Sequence, residues 1–230
     1  MNEHADISTP VRVIIADDHP LVLLAIENLL SGLPNLKIVG RAADSTELFF
    51  EADSVECDLV VMDLHMPGGA CHDGFDMVWR FRKRYPKVVL VVLTMEIDAG
   101  SLQQVISLGV DAVVSKRDRI DLIHVAIVTA LAHERYIGPA VRALIAEATV
   151  ARRFEFVREL LSPRELEVLT HYASGIGVSE IAARLGRSVK TISAQKCTAM
   201  RKLALQSDAE LFRFAVDHGV LPNDFQPIRR

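Results

Sequence analysis

The sequence has no run approaching the ~18 consecutive apolar residues that a membrane span requires, although half of its 230 residues are hydrophobic. It also lacks the basic-then-apolar opening of a secretory signal, because MNEHADISTP carries acids and a proline there. Cysteine is scarce. Cys57, Cys71 and Cys197 are odd in number and show no CxxC spacing, which disfavours both a disulfide framework and a structural zinc site. Free thiols fit a reducing compartment, so a cytoplasmic protein without a membrane partner is expected. The net charge of -4 is unevenly spread. Residues 158–230 hold 11 Lys+Arg against 8 Asp+Glu, whereas the remainder holds 15 against 22. A basic C-terminal part beside an acidic N-terminal part hints at nucleic acid for the former.

What is present is organised around LVVMDLHMP, residues 59–67. An apolar run that ends in Asp63, with turn chemistry at Pro67, reads as a buried parallel strand whose last residue surfaces at its carboxyl end. In open α/β sheets ligands bind at that edge. Four further runs rich in Val, Ile and Leu, at 11–16, 36–40, 88–94 and 112–115, alternate with helical periodicity. Near-continuous apolar runs belong to strands covered on both faces. The expectation is a doubly wound, five-stranded parallel sheet of flavodoxin-like type over residues 11–136, after an N-terminal tail at 1–10.

The helices of this first domain are expected from Pro20 and at 45–53, 74–85, 98–108 and 120–134. The last, IDLIHVAIVTALAHE, is apolar almost all round, whereas a surface helix needs one apolar stripe. A dimer partner or the second domain is expected to cover its outer face. Residues 137–158 read as a partly helical linker. From 159 to 219 the pattern changes to short helices only, followed by a tail at 220–230. Ser162-Pro163-Arg164-Glu165 is a capping box with proline at the first helical position, and Ser207 to Glu210 forms a second. VSEIAARLG ends on Gly186 and Ser188 can cap another helix at once, which is helix-turn-helix geometry.

Asp17 and Asp18 follow the first strand, Asp63 ends the third, Thr94 ends the fourth and Lys116 follows the fifth. Taken singly, an Asp at a strand end is more often a cap than a nucleophile. Together, three carboxylates in one crevice would repel unless a cation compensates them, and all-oxygen ligands suit magnesium. A lysine and a threonine hydroxyl could contact phosphoryl oxygens. This is equipment for moving a phosphoryl group onto a carboxylate. His65, Cys71, His72 and Asp73 lack the spacing of a transition-metal site.

IIADDHP, LVVMDLHMPG, VVLTM and VVSK resemble the receiver domain of bacterial two-component response regulators. The resemblance implies that Asp63 accepts a phosphoryl group from a histidine kinase or phosphotransferase. Asp17, Asp18, Asp63 and the backbone carbonyl of His65 would hold Mg2+, Thr94 would be the hydroxyl switch, and Lys116 would contact the phosphoryl group. Such a protein is not an enzyme beyond slow self-dephosphorylation, whose rate His65 and Glu96 would tune. Two departures stand out. Val113 occupies the place of an aromatic residue whose rotation reports phosphorylation, and Arg117 replaces the proline that usually follows Lys116.

LSPRELEVLTHYASGIGVSEIAARLGRSVKTISAQKCTAMRKL is similar to the DNA-binding domain of NarL/FixJ (LuxR-type) regulators, and the wording RSVKTISAQK resembles that of RcsB-like regulators. At about 100° per residue, Ile192, Ala199 and Leu203 share one face of the second helix, while Lys190, Ala194, Cys197 and Arg201 share the other. Short side chains between cations let a helix approach a groove floor closely. Lys190, Thr191, Ser193, Ala194 and Cys197 are the candidates for groove contacts, and Arg187, Lys196, Arg201 and Lys202 for phosphates. The expected partners are promoter DNA, RNA polymerase and a second copy of the chain. Two alternatives are a co-regulator that heterodimerises with another regulator, and a magnesium-dependent phosphatase, against which the lack of a DxD signature speaks.

Overall fold

The computed structural model describes residues 9–33, 35–70 and 73–221. The chain divides into two compact units, residues 1–145 and 146–230.

In the first unit, strands β1 (Val11–Ala16), β2 (Leu36–Ala42), β3 (Leu59–Asp63), β4 (Val89–Thr94), β5 (Ala112–Ser115) and β6 (Tyr136–Ile137) form one sheet in the order β2-β1-β3-β4-β5-β6. Every pairing is parallel. Helices α1 (Pro20–Ser31), α2 (Ser45–Ser54), α3 (Gly74–Arg84), α4 (Ala99–Ser107) and α5 (Asp121–Leu131) connect the strands. Side chains alternate across a strand, and the two faces are filled separately. Ile14, Val60, Met62, Leu90, Val92 and Val113 pack with Leu48, Met77, Phe81, Leu102 and Val105 of α2 to α4. Val13, Ile15, Leu59, Val61, Val91 and Val114 pack with Ile26, Leu30, Ile123 and Ile127 of α1 and α5.

The strand order reverses at β1, between β2 and β3, which opens a crevice at their carboxyl ends. Asp17 follows β1 there and Asp63 ends β3. A sixth strand joins the five expected, because Tyr136 and Ile137 pair with Ala112 and Val113. Two residues carry no periodicity, so this strand leaves no sequence pattern. Helix α5 stops at Leu131, short of the expected 134, where His133 adopts a left-handed φ of 59°.

Residues Pro139–Leu160 form one helix, α6. Near its start, Val141, Leu144 and Ile145 belong to the core of the first unit; nearer its end, Phe154 and Val157 belong to the core of the second. The expected linker is therefore regular helix for most of its length.

The second unit adds α7 (Pro163–Ala173), α8 (Val178–Leu185), α9 (Val189–Lys202) and α10 (Asp208–Asp217). Gly186 ends α8 with a left-handed φ of 62°, a conformation that favours glycine. Ser188 caps α9 two residues later by accepting from Thr191 N at 3.0 Å. Val168, Ile181, Ala182 and Ile192 lock α7, α8 and α9 together. Val220 and Leu221, expected in a tail, are buried with Leu211 and Ala215 of α10. Their two apolar side chains complete this small core and extend the ordered unit past the expected boundary.

The capping box at α7 is complete: Ser162 N donates to Glu165 Oε2 at 2.8 Å, and Glu165 N donates to Ser162 Oγ at 3.4 Å. Lys202 Nζ donates to the same Glu165 oxygen at 2.7 Å, tying the end of α9 to the start of α7. At α10 the second box is displaced by one residue, because Glu210 accepts from Gln206 N rather than from Ser207 N.

The Lys202 ammonium and the Ser162 groups hold the Glu165 carboxyl below its ordinary pKa of 4.5. A carboxylate with a depressed folded pKa contributes stability that is complete above the unfolded value and is lost as pH falls through the folded one. Glu165→Gln retains capping geometry but cannot titrate. Urea unfolding of the second unit should therefore show a stability deficit for the variant at pH 7 that narrows as pH falls below 4.5; a constant deficit would mean the carboxylate charge does not act.

Candidate functional site

The crevice brings Asp17, Asp63 and Lys116 into contact. Asp17 is fully buried, Asp63 nearly so, and Lys116 Nζ lies 2.7 Å from an oxygen of each. Toward Asp63 this is a hydrogen bond. Toward the buried Asp17 Oδ2 the same ammonium forms an ion pair. Burial raises the Asp63 pKa, the Lys116 ammonium opposes that rise, and Asp17 adds to it. Burial pulls Lys116 down, yet the two carboxylates outweigh it, so the ammonium is held above its usual value.

Asp18 and His19 complete the rim. Asp17, Asp18, His19 and Asp63 each present a ligand atom, all within 4.8 Å of one another. Three carboxylates clustered around one point, two of them buried, fit a hard divalent cation better than a proton-sharing carboxylate pair. The residue that sequence reasoning missed here is His19, whose Nδ1 lies 2.6 Å from Asp18 Oδ1 and 3.4 Å from Asp17 Oδ1. Its signal was its place directly after the two acids. His19 precedes α1 without a side-chain cap bond; its backbone N–H instead donates to Asp17 Oδ1 at 3.0 Å.

Thr94 is buried at the end of β4. Its hydroxyl oxygen accepts from Glu96 N at 2.8 Å, and its carbonyl accepts from Lys116 N at 2.8 Å. His65 is exposed in the turn after β3, and its backbone N–H faces the Asp63 carboxylate. The Glu96 carboxylate folds back onto Ile97 N and Asp98 N, both at 2.9 Å. Asp73 closes the loop after β3 by accepting from Met66 N and Gly74 N, each at 2.7 Å. Cys71 and His72 lie outside the described residues.

On α9, Ile192 and Ala199 are buried, whereas Lys190, Thr191, Ala194, Cys197 and Arg201 are exposed and Ser193 is half-buried. The outer face thus has short side chains between two cations. The phosphate candidates divide. Lys196 donates to Asp208 at 2.6 Å and lies 3.6 Å from the centre of the Tyr172 ring, leaving its side chain 14% exposed. Tyr172 in turn donates to Asp208 at 2.7 Å. Burial lowers the Lys196 pKa, but these partners outweigh it and raise it overall. Lys202 is engaged by Glu165, and Arg187 pairs with Glu167 at 2.9 Å. Lys196 and Lys202 therefore hold the helix in place. Nothing in their spacing along the sequence could show it, because the partners lie 12 and 37 residues away.

A third surface is apolar. Leu21 and Leu24 on α1 are 80% and 52% exposed, and Val125 and Val128 on α5 are 43% and 53% exposed. The two helices pack side by side.

Residues 13–128 match the family model for the response regulator receiver domain, and residues 159–215 match that for bacterial regulatory proteins of the luxR family. The transcriptional regulatory protein RcsB of Salmonella typhimurium is 32% identical over 214 residues, covering 93% of this chain and 98% of the relative. Two solved structures carry the likeness into three dimensions. A structure of two RcsB dimers bound to two parallel DNAs has a TM-score of 0.59 at 32% identity, covering 91% of this chain and 99% of that one. RcsB from Salmonella enterica serovar Typhimurium, bound to promoter P1flhDC in the presence of a phosphomimetic, has a TM-score of 0.58 at the same identity and coverage. With both domains matched in order and a relative aligned over nearly its whole length, the chain belongs to the two-component response regulators of the NarL/FixJ type, which join a receiver domain to a LuxR-type helix-turn-helix domain.

Proposed function

We propose that this regulator is switched by a phosphoryl group on Asp63 and, once switched, binds promoter DNA as a dimer. The observation that carries the reading is the contact of a nearly buried Asp63 with Lys116, whose ammonium also pairs with the buried Asp17. The donor is a histidine kinase or phosphotransferase. An Asp63 oxygen attacks phosphorus, the P–N bond to the donor histidine breaks as the P–O bond forms, and the histidine nitrogen keeps the electron pair and takes up a proton. Asp17, Asp18 and Asp63, with the His65 carbonyl, would hold Mg2+, which would supply positive charge where the phosphoryl oxygens arrive. Lys116 meets one of those oxygens with its ammonium. Thr94 turns its hydroxyl from Glu96 N toward another. The chain then acts as an acceptor, and hydrolysis of the acyl phosphate is slow self-dephosphorylation rather than turnover.

Phosphate shifts the population toward the DNA-competent form by what it stabilises differently in each state. The exposed apolar strip of α1 and α5 is the natural surface for pairing two copies, since a two-fold interface buries the same patch on both. Pairing sets two copies of α9 on half-sites one helical turn apart. Lys190, Thr191, Ser193, Ala194 and Cys197 face the groove, Arg201 faces phosphate, and RNA polymerase is the partner at the promoter.

Val113, standing where an aromatic reporter is expected and buried in the receiver core, favours one second reading. In it the chain pairs with a different regulator and binds DNA partly without phosphate. Mixed dimers in sedimentation, together with DNA binding retained in Asp63→Asn, would select it.

Transfer of labelled phosphate from a phosphohistidine donor should be lost in Asp63→Asn, along with phosphate-dependent DNA binding; undiminished labelling would place the acceptor elsewhere. Arg201→Ala should weaken binding to all sequences alike and reduce the slope of log affinity against log salt by about 1, whereas Lys190→Ala should cost about 1–3 kcal/mol and relax preference at one base. Lys196→Ala should instead lower the melting temperature of the second unit. Val128→Asp should keep the phosphorylated receiver monomeric in sedimentation without reducing its labelling.

A further inference from the structure

If no aromatic ring turns in β5, some other group must carry the state of Asp63 away from the crevice. Val113 is buried, and its carbonyl accepts from Gly138 N at 2.8 Å, just before α6 begins. One turn further on lies a second contact with the same place. Asp118 N donates to Ser115 O at 2.9 Å, Arg117 N donates to Ser115 Oγ at 3.2 Å, and Asp118 Oδ2 accepts from Ser115 N at 3.3 Å. This closes the turn that contains Lys116. The other Asp118 oxygen, Oδ1, accepts from Ala140 N at 3.2 Å.

Ala140 is the second residue of α6, and the first N–H groups of a helix have no partner within it. The residue before α6 is Gly138-Pro139's glycine, which has no side chain to cap with, so the cap comes from the turn after β5. A carboxylate is well placed there, because negative charge at a helix N-terminus is favourable. The approach is tight. A Cβ on Gly138 would lie 2.6 Å from Asp118 Oδ2 and 3.3 Å from Val114 Cα. Glycine is thus what lets the helix start press against β5 and the carboxylate together.

The turn has two working ends. At one, the Lys116 ammonium bonds to Asp63 while its backbone N–H is fixed to Thr94 O. At the other, two residues on, Asp118 holds the start of a helix that runs without a break from Pro139 to Leu160.

We propose that Asp118 is a latch on the start of α6: when Lys116 is drawn from the Asp63 carboxylate to a phosphoryl group on it, the Ser115 to Asp118 turn shifts and loosens the cap on α6. The inference rests on the reading of Asp63 as the phosphoryl acceptor. Asp118 touches neither the acids nor the incoming group, so it is a positioning residue that acts on α6.

The test compares promoter-DNA affinity of the full chain with and without Mg2+ and beryllofluoride, for wild type, Asp118→Ala and Gly138→Ala. A wild-type gain of about 5- to 150-fold, the usual span for coupled sites, should fall to less than about 2-fold in Asp118→Ala while beryllofluoride binding is unchanged. Gly138→Ala keeps the carboxylate and the acidic site but crowds them apart from α6. It should reduce the gain in the same direction, and it decides the matter if Asp118→Ala does not fold. Amide exchange gives a readout that a merely structural role would not move. The Ala140 amide of wild type should exchange faster when beryllofluoride is added, and that of Asp118→Ala should be fast throughout. A full gain in both variants, or a wild-type Ala140 amide indifferent to beryllofluoride, overturns the latch and leaves Asp63 as acceptor. Failure of wild type to bind beryllofluoride, or to gain DNA affinity with it, overturns the acceptor reading and the latch together.

Discussion

Asp17 and Asp63 lie side by side in the interior at the carboxyl edge of a parallel sheet, and the ammonium of Lys116 is what offsets their repulsion. Taking a carboxylate out of water is costly unless it is paired. Two such groups share one counter-charge, and burial holds the Asp63 carboxyl above its usual pKa despite the ammonium. Five strands rich in Val, Ile and Leu, covered on both faces, keep the three groups in place from three different strand ends. On the proposed reading, a cation beside these acids or added oxygens on Asp63 would change which groups Lys116 serves, so the crevice would respond to charge.

Much of this was legible in the sequence, for identifiable reasons. Buried parallel strands are short continuous apolar runs, and their ends are marked by the polar residues that surface there, so the sequence alone places Asp17, Asp63, Thr94 and Lys116 on one edge. The interior of α9 was legible because Ile192 and Ala199 repeat at helical spacing. Other features left no such trace. Strand β6 is too short for a period. Helix α6 serves one core with Val141 and another with Val157, so its apolar positions never form a single stripe. Val220 and Leu221 follow a helix-ending Gly219 and look like the start of a tail until the small core that they fill is seen. The roles of Lys196 and Lys202 were hidden for a different reason. Every cation on a helix looks alike in sequence, and only distant carboxylates tell which are held and which are free to meet a ligand.

The two units solve their packing differently. The receiver unit has two thick apolar layers and can hold buried charge at its edge without losing its core. The helical unit is smaller and supplements its core with polar ties between helices: Lys202 to Glu165, and Lys196 to Asp208 and Tyr172. Such ties fix the rotation of α9 about its own axis as well as its position.

That fixed rotation separates the outward side of α9 from the side that holds it. The lysine clamp at Tyr172 and Asp208 and the buried Ile192 and Ala199 set the helix, while Ala194 and Cys197 project outward with no role in the packing of the unit. On the proposed reading of α9 as the recognition helix, those outward positions could change while the scaffold stays as it is. A single rigid mount would then carry different sets of base contacts, set by side chains that the fold does not depend on.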